Sequence, residues 1–401
     1  PETMKVEQLA LQRKRYAHLS DEEWRWMLQQ VEGRQRTCDK LPTFAQIDDW
    51  WYPVRLSCEQ CSSEITARYK ASLLPKTPFT LTDLTGGYGV DTFFMSEHAI
   101  QAHYVEQNAE LCRIVKHNFA LHRPQVSIHN TTAEHFLSTL PLEEKDSLPL
   151  EEKDSLPLEG GAGGGLVIYL DPARRDQNGG KVFRLEDCEP NVVELLPTLT
   201  AKSKLLMIKL SPMLDITAAL RSLDISFDVH IVAVKNEVKE VLLVQTDGDS
   251  QIYATNIIDE QSRQEFSFGV EEEKQSNCLI YNREQSQLCA EGAYIYEPNA
   301  SIIKSGAFKL VGERYGLCKM GVNTHLYLSK DHVADFPGRV WEIVETNIKD
   351  AKGMSANVMT RNYPMTADQL RKKLKVKDSD THTIIGARLE DKPTLFLCKR
   401  V

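Results

Sequence analysis

The sequence predicts an α/β protein: a parallel, doubly wound sheet closed by an antiparallel hairpin, with a helical region before it and two small α+β modules after it. Three observations predict this. Between about 77 and 247, short apolar runs of strand character alternate with runs at helical spacing, the pattern of a parallel sheet with helical crossovers. The runs "DVHIVAV" and "EVLLVQT" are separated only by the polar "KNEVK", too short for a helical crossover and therefore a hairpin. Three glycines in four residues, Gly86, Gly87 and Gly89, follow the first strand, where backbone must turn tightly or approach a ligand.

Residues 1–74 read as helical. "SDEEWRWMLQQVEGR" opens with an N-cap serine and a glutamate three residues on, a capping-box pattern. "SCEQCSSEITARYKASLL" keeps helical spacing until Pro75. The sheet domain spans 75–248, with strands expected at Phe79–Leu84, Ala102–Glu106, Val126–His129, Leu166–Leu170 and Lys204–Leu210. Between the second and third, "NAELCRIVKHNFALH" presents Leu111, Ile114, Val115 and Phe119 as the apolar face of a helix. An insertion at 141–165 repeats "PLEEKDSL" and ends in a glycine run; its acidic, Pro- and Gly-punctuated composition predicts a mobile loop.

The first α+β module spans 249–325 and contains "EGAYIYEPNASIIKSGAFKLVGERYGL", a strand, turn and helix. The second spans 326–401. Its "ANVMTRNYPMTADQLRKKLKV" reads as strand, turn and a helix capped near Thr366, and "THTIIGARLEDKPTLFLCKRV" as a hairpin.

The chain's formal charge of −9 is uneven. From Lys352 to Val401, eleven basic residues face five acids, a net of +6 that leaves −15 on the remainder. A basic module on an acidic body suggests a polyanion partner such as RNA; the other reading is a solvated helix face. Nine scattered cysteines in odd number fit reduced thiols in a cytoplasmic protein. Cys58-Glu-Gln-Cys61 has no second pair at zinc spacing, so two buried helix thiols and no metal are expected. No apolar run approaches the ~20 residues of a membrane span, and no signal-peptide pattern opens the sequence.

The glycine loop, Asp83-Leu-Thr-Gly86-Gly87-Tyr-Gly89, is by itself either a ligand cradle or a bare strand-to-helix turn. A dinucleotide fingerprint would want Gly or Ala where Thr92 stands. The second strand ends in Glu106, placed to accept the two hydroxyls of a ribose, and the fourth in Asp171-Pro172, at the sheet edge where open α/β sheets bind ligands.

These features together resemble the class I S-adenosylmethionine-dependent methyltransferases, whose sheet is Rossmann-like with an antiparallel terminal hairpin; the resemblance covers roughly 80–247. It implies S-adenosylmethionine as cofactor. The implied contacts are Asp83, Thr85, Gly86, Gly87, Gly89 and Asp91 of the loop, Glu106 and Gln107 after strand two, and Asp171 and Pro172 after strand four. Thr85 stands where a glycine is common, and the adenine contact falls to Thr132 or Glu134. With "EQCSSEITARYKASL" and "DPARRD", the chain also looks like a bacterial group of methyltransferases with a ferredoxin-like and then a THUMP-like C-terminal module, which implies an RNA substrate.

Neither the second proline and aromatic of amine methylation nor a Pro-Cys nucleophile is present. The ribose 2′-O-methyltransferases of the heat-shock rRNA type carry a Lys-Asp-Lys-Glu set that Lys70, Asp171, Lys209 and Glu240 resemble; these are the candidate catalytic residues. The other reading leaves Lys209 snorkelling and Glu240 facing solvent. Arg174 and Arg175 could clamp a phosphate, and Arg361 beside Tyr363 could contact RNA. Three functions stay open: methylation of RNA (base or ribose 2′-O), methylation of a protein or small molecule, and non-catalytic RNA binding on a methyltransferase fold.

Overall fold

The computed structural model describes residues 4–140, 165–174, 185–223, 225–348 and 351–401. The duplicated acidic segment, apart from Gly165, and Arg175 lie outside the described residues. The chain divides into two compact units: Pro1–Phe227 with Val241–Gly248, and Asp228–Glu240 with Asp249–Val401.

The first unit opens with five helices, α1 (Val6–Ala10), α2 (Asp21–Thr37), α3 (Pro42–Ala45), α4 (Arg55–Gln60) and α5 (Glu64–Ser72). Ser20 caps α2 with a complete capping box: its hydroxyl accepts from the Glu23 N–H, and the Glu23 carboxylate accepts from the Ser20 N–H. The expected helix over Ser57–Leu74 is two helices instead. Cys61 adopts an extended backbone, and Ser63 restarts the chain by accepting from the Thr66 N–H at 3.3 Å. A serine side chain competes for backbone hydrogen bonds, so Ser63 favours such a restart over a continuous helix. Cys58 is buried in α4, and Cys61 stands at its C-terminal cap.

The sheet strands are β1 (Thr80–Asp83), β2 (Gln101–Glu106), β3 (Val126–Asn130) and β4 (Leu166–Leu170). The short pair β5 (Ala173–Arg174) and β6 (Cys188–Glu189) follows, then β7 (Leu205–Leu210), β8 (Phe227–Val234) and β9 (Glu237–Gln245). Helices α6 (Val90–Met95), α7 (Ala109–His122), α8 (Ala133–Thr139), α9 (Val192–Lys202) and α10 (Ile216–Arg221) fill the connections. Within the first unit the order is β3-β2-β1-β4-β7-β9, parallel throughout except for the antiparallel β7–β9 pair. The order reverses direction between β1 and β4, so the carboxyl ends of these two strands border the crevice where such sheets bind ligands. The turn between β8 and β9 is only Lys235-Asn236, tighter than the five residues expected, and both take positive φ (50° and 66°). Two such residues match the twist of a two-residue hairpin.

The helical region is not a separate cap. Phe44 of α3 stacks on Trp50 with centroids 4.0 Å apart and meets Phe93 and Phe94 of α6 at 5.0 and 5.8 Å. The Trp50 indole N–H donates to the Tyr88 hydroxyl at 2.8 Å. Burying that much aromatic surface makes the region part of the same core.

In the second unit, β10 (Gln251–Ile257) lies parallel to β8 and antiparallel to β11 (Arg263–Gly269). A seven-stranded sheet follows, built from β12 (Tyr294–Pro298), β13 (Cys318–Gly321), β14 (Thr324–Ser329), β15 (Gly338–Thr346), β16 (Asn357–Arg361), β17 (His382–Leu389) and β18 (Lys392–Arg400). Its order is β13-β14-β12-β15-β18-β17-β16, antiparallel except for β16–β17. The two expected C-terminal modules therefore share one sheet, joined where β12 pairs with β15. Helices α11 (Glu272–Gln275), α12 (Ala300–Ser305), α13 (Leu310–Arg314) and α14 (Ala367–Leu374) complete the unit. Thr366 caps α14 with a capping box; Leu370 turns inward, while Arg371, Lys372 and Lys373 are exposed. No helix among the described residues is long and apolar enough to cross a membrane.

Candidate active site

Because β1, β2, β4 and β7 run parallel, Asp83, Glu106, Leu170 and Leu210 all lie at one edge of the sheet. Asp83 is buried at the end of β1, where its carboxylate accepts from the Thr85 N–H at 3.0 Å and the Thr92 hydroxyl at 2.5 Å. Burial pushes its pKa up to about 7, although the hydrogen bonds from Thr92 and Thr85 pull the other way.

The glycine loop lies flat on β2. The Gly86 N–H donates to the Val105 carbonyl at 2.9 Å, and a Cβ on Gly86 would stand 2.1 Å from the Tyr104 ring. The Tyr104 hydroxyl donates to the Gly87 carbonyl at 2.6 Å. Gly87 takes a left-handed φ of 53°, and its N–H donates to Glu106 Oε2 at 3.0 Å. The other Glu106 oxygen accepts from the Asn108 N–H at 2.8 Å. Above Gly87 the space is open: an added Cβ would meet nothing nearer than the Thr85 carbonyl oxygen at 3.8 Å. Gly89, with φ 80°, starts α6. Gln107 is exposed, and its carbonyl accepts from the Asn130 amide at 3.0 Å. Thr132 caps α8, its hydroxyl accepting from the His135 N–H, and Glu134 is exposed.

Beside the loop runs a chain of charges. The Asp171 N–H donates to the Thr85 hydroxyl at 2.6 Å, which ties the end of β4 to the glycine loop. The Asp171 carboxylate accepts from Lys209 Nζ at 2.5 Å, and Pro172 follows half-buried. Lys209 also donates to the Ser62 hydroxyl at 3.2 Å. Lys70, fully enclosed, donates to Ser62 at 3.4 Å and pairs with Asp91 Oδ1 at 3.2 Å. Asp91 Oδ2 accepts from the hydroxyls of Ser62 at 2.8 Å and Tyr169 at 2.7 Å. Burial works against the charge on Asp91. The ammonium groups of Lys70 and Lys209, with the Tyr169 and Ser62 hydroxyls, outweigh it and hold its pKa below the usual carboxylate value.

Lys70, Asp171 and Lys209 thus come together, but with Asp91 and Ser62 between the two lysines. Lys70 faces Asp91 rather than Asp171. Glu240 is buried on β9, on the stretch that belongs to the second unit. Arg174 sits on β5, paired in register with Cys188. Arg361, at the end of β16, is held by Glu297: its Nε lies 2.5 Å from a carboxylate that also binds Arg339. Sequence reasoning missed Ser62, Tyr169 and Glu297. Nothing in sequence links residues 62, 91 and 209. Among the described residues, no group of three or more His, Cys, Asp or Glu could hold a metal ion.

The chemistry open to the Asp171–Lys209 pair is proton transfer. The Asp171 side chain is 38% exposed, within reach of a substrate, while its Lys209 partner is only 13% exposed. A carboxylate so placed can accept a proton, and the neighbouring ammonium steadies the charge that develops.

Comparison with known proteins bears on the fold and the C-terminal domains. Residues 294–337 match a ferredoxin-like domain and residues 338–400 a THUMP-like domain. No curated protein matches. The crystal structure of a protein from Porphyromonas gingivalis W83, described as a "putative methyltransferase", is 28% identical; the match covers 96% of this chain and 92% of that one, with a TM-score of 0.79. A protein of Escherichia coli, described as "Putative methyltransferase yhhF", is 14% identical over 50% of this chain and 90% of its own, with a TM-score of 0.28. An rRNA methylase from Streptococcus thermophilus is 11% identical over 46% and 97%, with a TM-score of 0.30. At those two scores the likeness decides neither fold nor function. The chain shares the fold of the Porphyromonas gingivalis protein over nearly its whole length, and it joins a class I methyltransferase-like sheet to a ferredoxin-like and a THUMP-like domain.

Proposed function

We propose that this chain is an S-adenosylmethionine-dependent methyltransferase acting on RNA. The observation that carries the reading is the pairing of Glu106 with the Gly87 N–H beneath open space at the carboxyl edge of the sheet. A carboxylate offers about four acceptor positions, and backbone N–H groups occupy two of those on Glu106. The remaining two suit the vicinal hydroxyls of a ribose. Gly87 leaves room for the methionine portion, while Gly86 lets the loop lie against the Tyr104 ring.

Bound there, S-adenosylmethionine would supply an electrophilic methyl group. The protein's share of the work is to hold and align the acceptor, because an in-line displacement gains most from positioning. Asp171 takes the proton that a hydroxyl or amine acceptor must lose, Lys209 steadies that carboxylate, and the Thr85 hydroxyl fixes its backbone to the loop. The RNA reading is supported by the THUMP-like match and by the exposed Arg371, Lys372, Lys373, Lys375 and Lys377 on and behind α14.

Titration calorimetry with S-adenosylmethionine on wild type and Gly87→Arg tests the cofactor. An arginine in the open space above the loop should abolish binding. Transfer of tritiated methyl groups to total bacterial RNA tests the substrate. Binding without transfer to RNA would move the substrate to a protein or small molecule. Absence of binding in the wild type would overturn the enzyme reading.

A further inference from the structure

We propose that Ser62 is a positioning residue of the methyl-transfer site: its hydroxyl, at the break between α4 and α5, fixes the Lys209 ammonium that holds Asp171. The inference rests on the reading of Asp171 as the proton acceptor and extends the site into the N-terminal helical region.

A serine hydroxyl has one hydrogen to give and two lone pairs to offer. Ser62 is 8% exposed and has three charged neighbours at hydrogen-bonding distance: Asp91 at 2.8 Å, Lys209 at 3.2 Å and Lys70 at 3.4 Å. Ammonium groups only donate, so neither lysine can take the hydroxyl hydrogen. It must go to Asp91, and both lone pairs then face the two lysines. The complement is filled in a single orientation. The oxygen sits between two like charges and is polarised by the Asp91 carboxylate behind it.

Lys209 reaches Asp171 from a strand whose other side chains are apolar. Ser62 and Asp171 fix the position of its Nζ from two sides. Asp91 lies two residues past Gly89, so the same hub links α6, which begins at the glycine loop, to the carboxylate at the end of β4. Alanine at position 62 would remove the hydrogen bonds to both lysines and leave the Asp91 oxygen with only the Tyr169 hydroxyl of its two donors.

Two measurements on the full chain test this. The first is tritiated methyl transfer from S-adenosylmethionine to total RNA by wild type, Ser62→Ala, Lys209→Met and the double variant, with folding checked by thermal melting. Ser62→Ala should lower kcat roughly tenfold, the scale of a hydrogen bond to a charged group, with KM for S-adenosylmethionine unchanged. In the Lys209→Met background the same substitution should change the residual rate by less than about twofold, because it acts through the missing ammonium. The second is competitive acetylation of Lys209 by acetic anhydride across pH, read by mass spectrometry, which needs no substrate. Ser62→Ala should shift the midpoint of that profile. An equal loss in both backgrounds, a normal rate in Ser62→Ala, or an unchanged acetylation profile would each overturn the proposal. If wild type transfers no methyl to RNA, the RNA reading fails by itself, and the acetylation profile alone decides the role of Ser62.

Discussion

Replacing Asp83 with asparagine should change how the stability of the first unit responds to pH. Asp83 is 1% exposed, so solvent screening takes nothing from the effect. Its carboxyl titrates near 3.8 in the unfolded chain and at about 7 in the folded one, chiefly because burial disfavours the charge. A carboxyl whose folded pKa is raised stabilises most below 3.8, and that stability is lost as pH rises towards 7. On that scale the raised pKa costs the folded state roughly 2 kcal/mol at pH 5 and roughly 4 kcal/mol at pH 8, relative to low pH. Asparagine can keep the Thr85 hydrogen bond and carries no such term. Its changed contact with Thr92 is the same at both pH values and drops out of the comparison. The stability of Asp83→Asn relative to wild type should therefore rise by roughly 2–3 kcal/mol between pH 5 and pH 8. Urea unfolding at the two pH values, followed by tryptophan fluorescence, measures it; Trp24, Trp26, Trp50 and Trp51 of the chain's five tryptophans lie in this unit. A difference that stays within about 1 kcal/mol across the range would refute the reasoning, since one shifted pKa unit is already worth about 1.4 kcal/mol.

Three further outcomes follow from the same core. Gly86→Ala places a methyl 2.1 Å from the Tyr104 ring, so it should cost about 1–3 kcal/mol in urea unfolding and, by moving the loop off Glu106, weaken S-adenosylmethionine binding in calorimetry. Phe44→Ala removes the ring that packs on Trp50, Phe93 and Phe94; a loss of about 3–5 kcal/mol is expected, and a loss below 1 kcal/mol would mean the helical region folds apart from the sheet. Lys70→Met strands the buried Asp91 with one fewer cation and should destabilise by about 3–5 kcal/mol, with the deficit shrinking at low pH as Asp91 takes up a proton.

The sheet was legible because its evidence is local. The run Leu166–Leu170 is apolar throughout and is a strand over those residues, and the Lys204–Leu210 run differs from β7 by one residue. The glycine loop and the acid that ends β2 were legible because tight backbone and a terminal carboxylate are written residue by residue. The break at Cys61–Ser63 was not, because helical spacing of apolar residues continues straight through it while the Ser63 hydroxyl caps a new helix. Lys209 stood out as a charge in an apolar strand, but its neighbours could not be read: Ser62 is 147 residues away and Asp171 is 38. Arg361 looked available for RNA because its partner, Glu297, lies 64 residues earlier, a separation no local pattern encodes.

The pairing of β12 with β15 has a consequence for how this chain can be cut and inherited. The ferredoxin-like match ends at 337 and the THUMP-like match begins at 338, yet Tyr294 to Pro298 bond in register with Gly338 to Glu342 across that seam. A split there would leave each half with a raw strand edge, a template for pairing with other chains. The two halves should therefore express as soluble protein only together, and recombination between genes would have to carry them as one cassette.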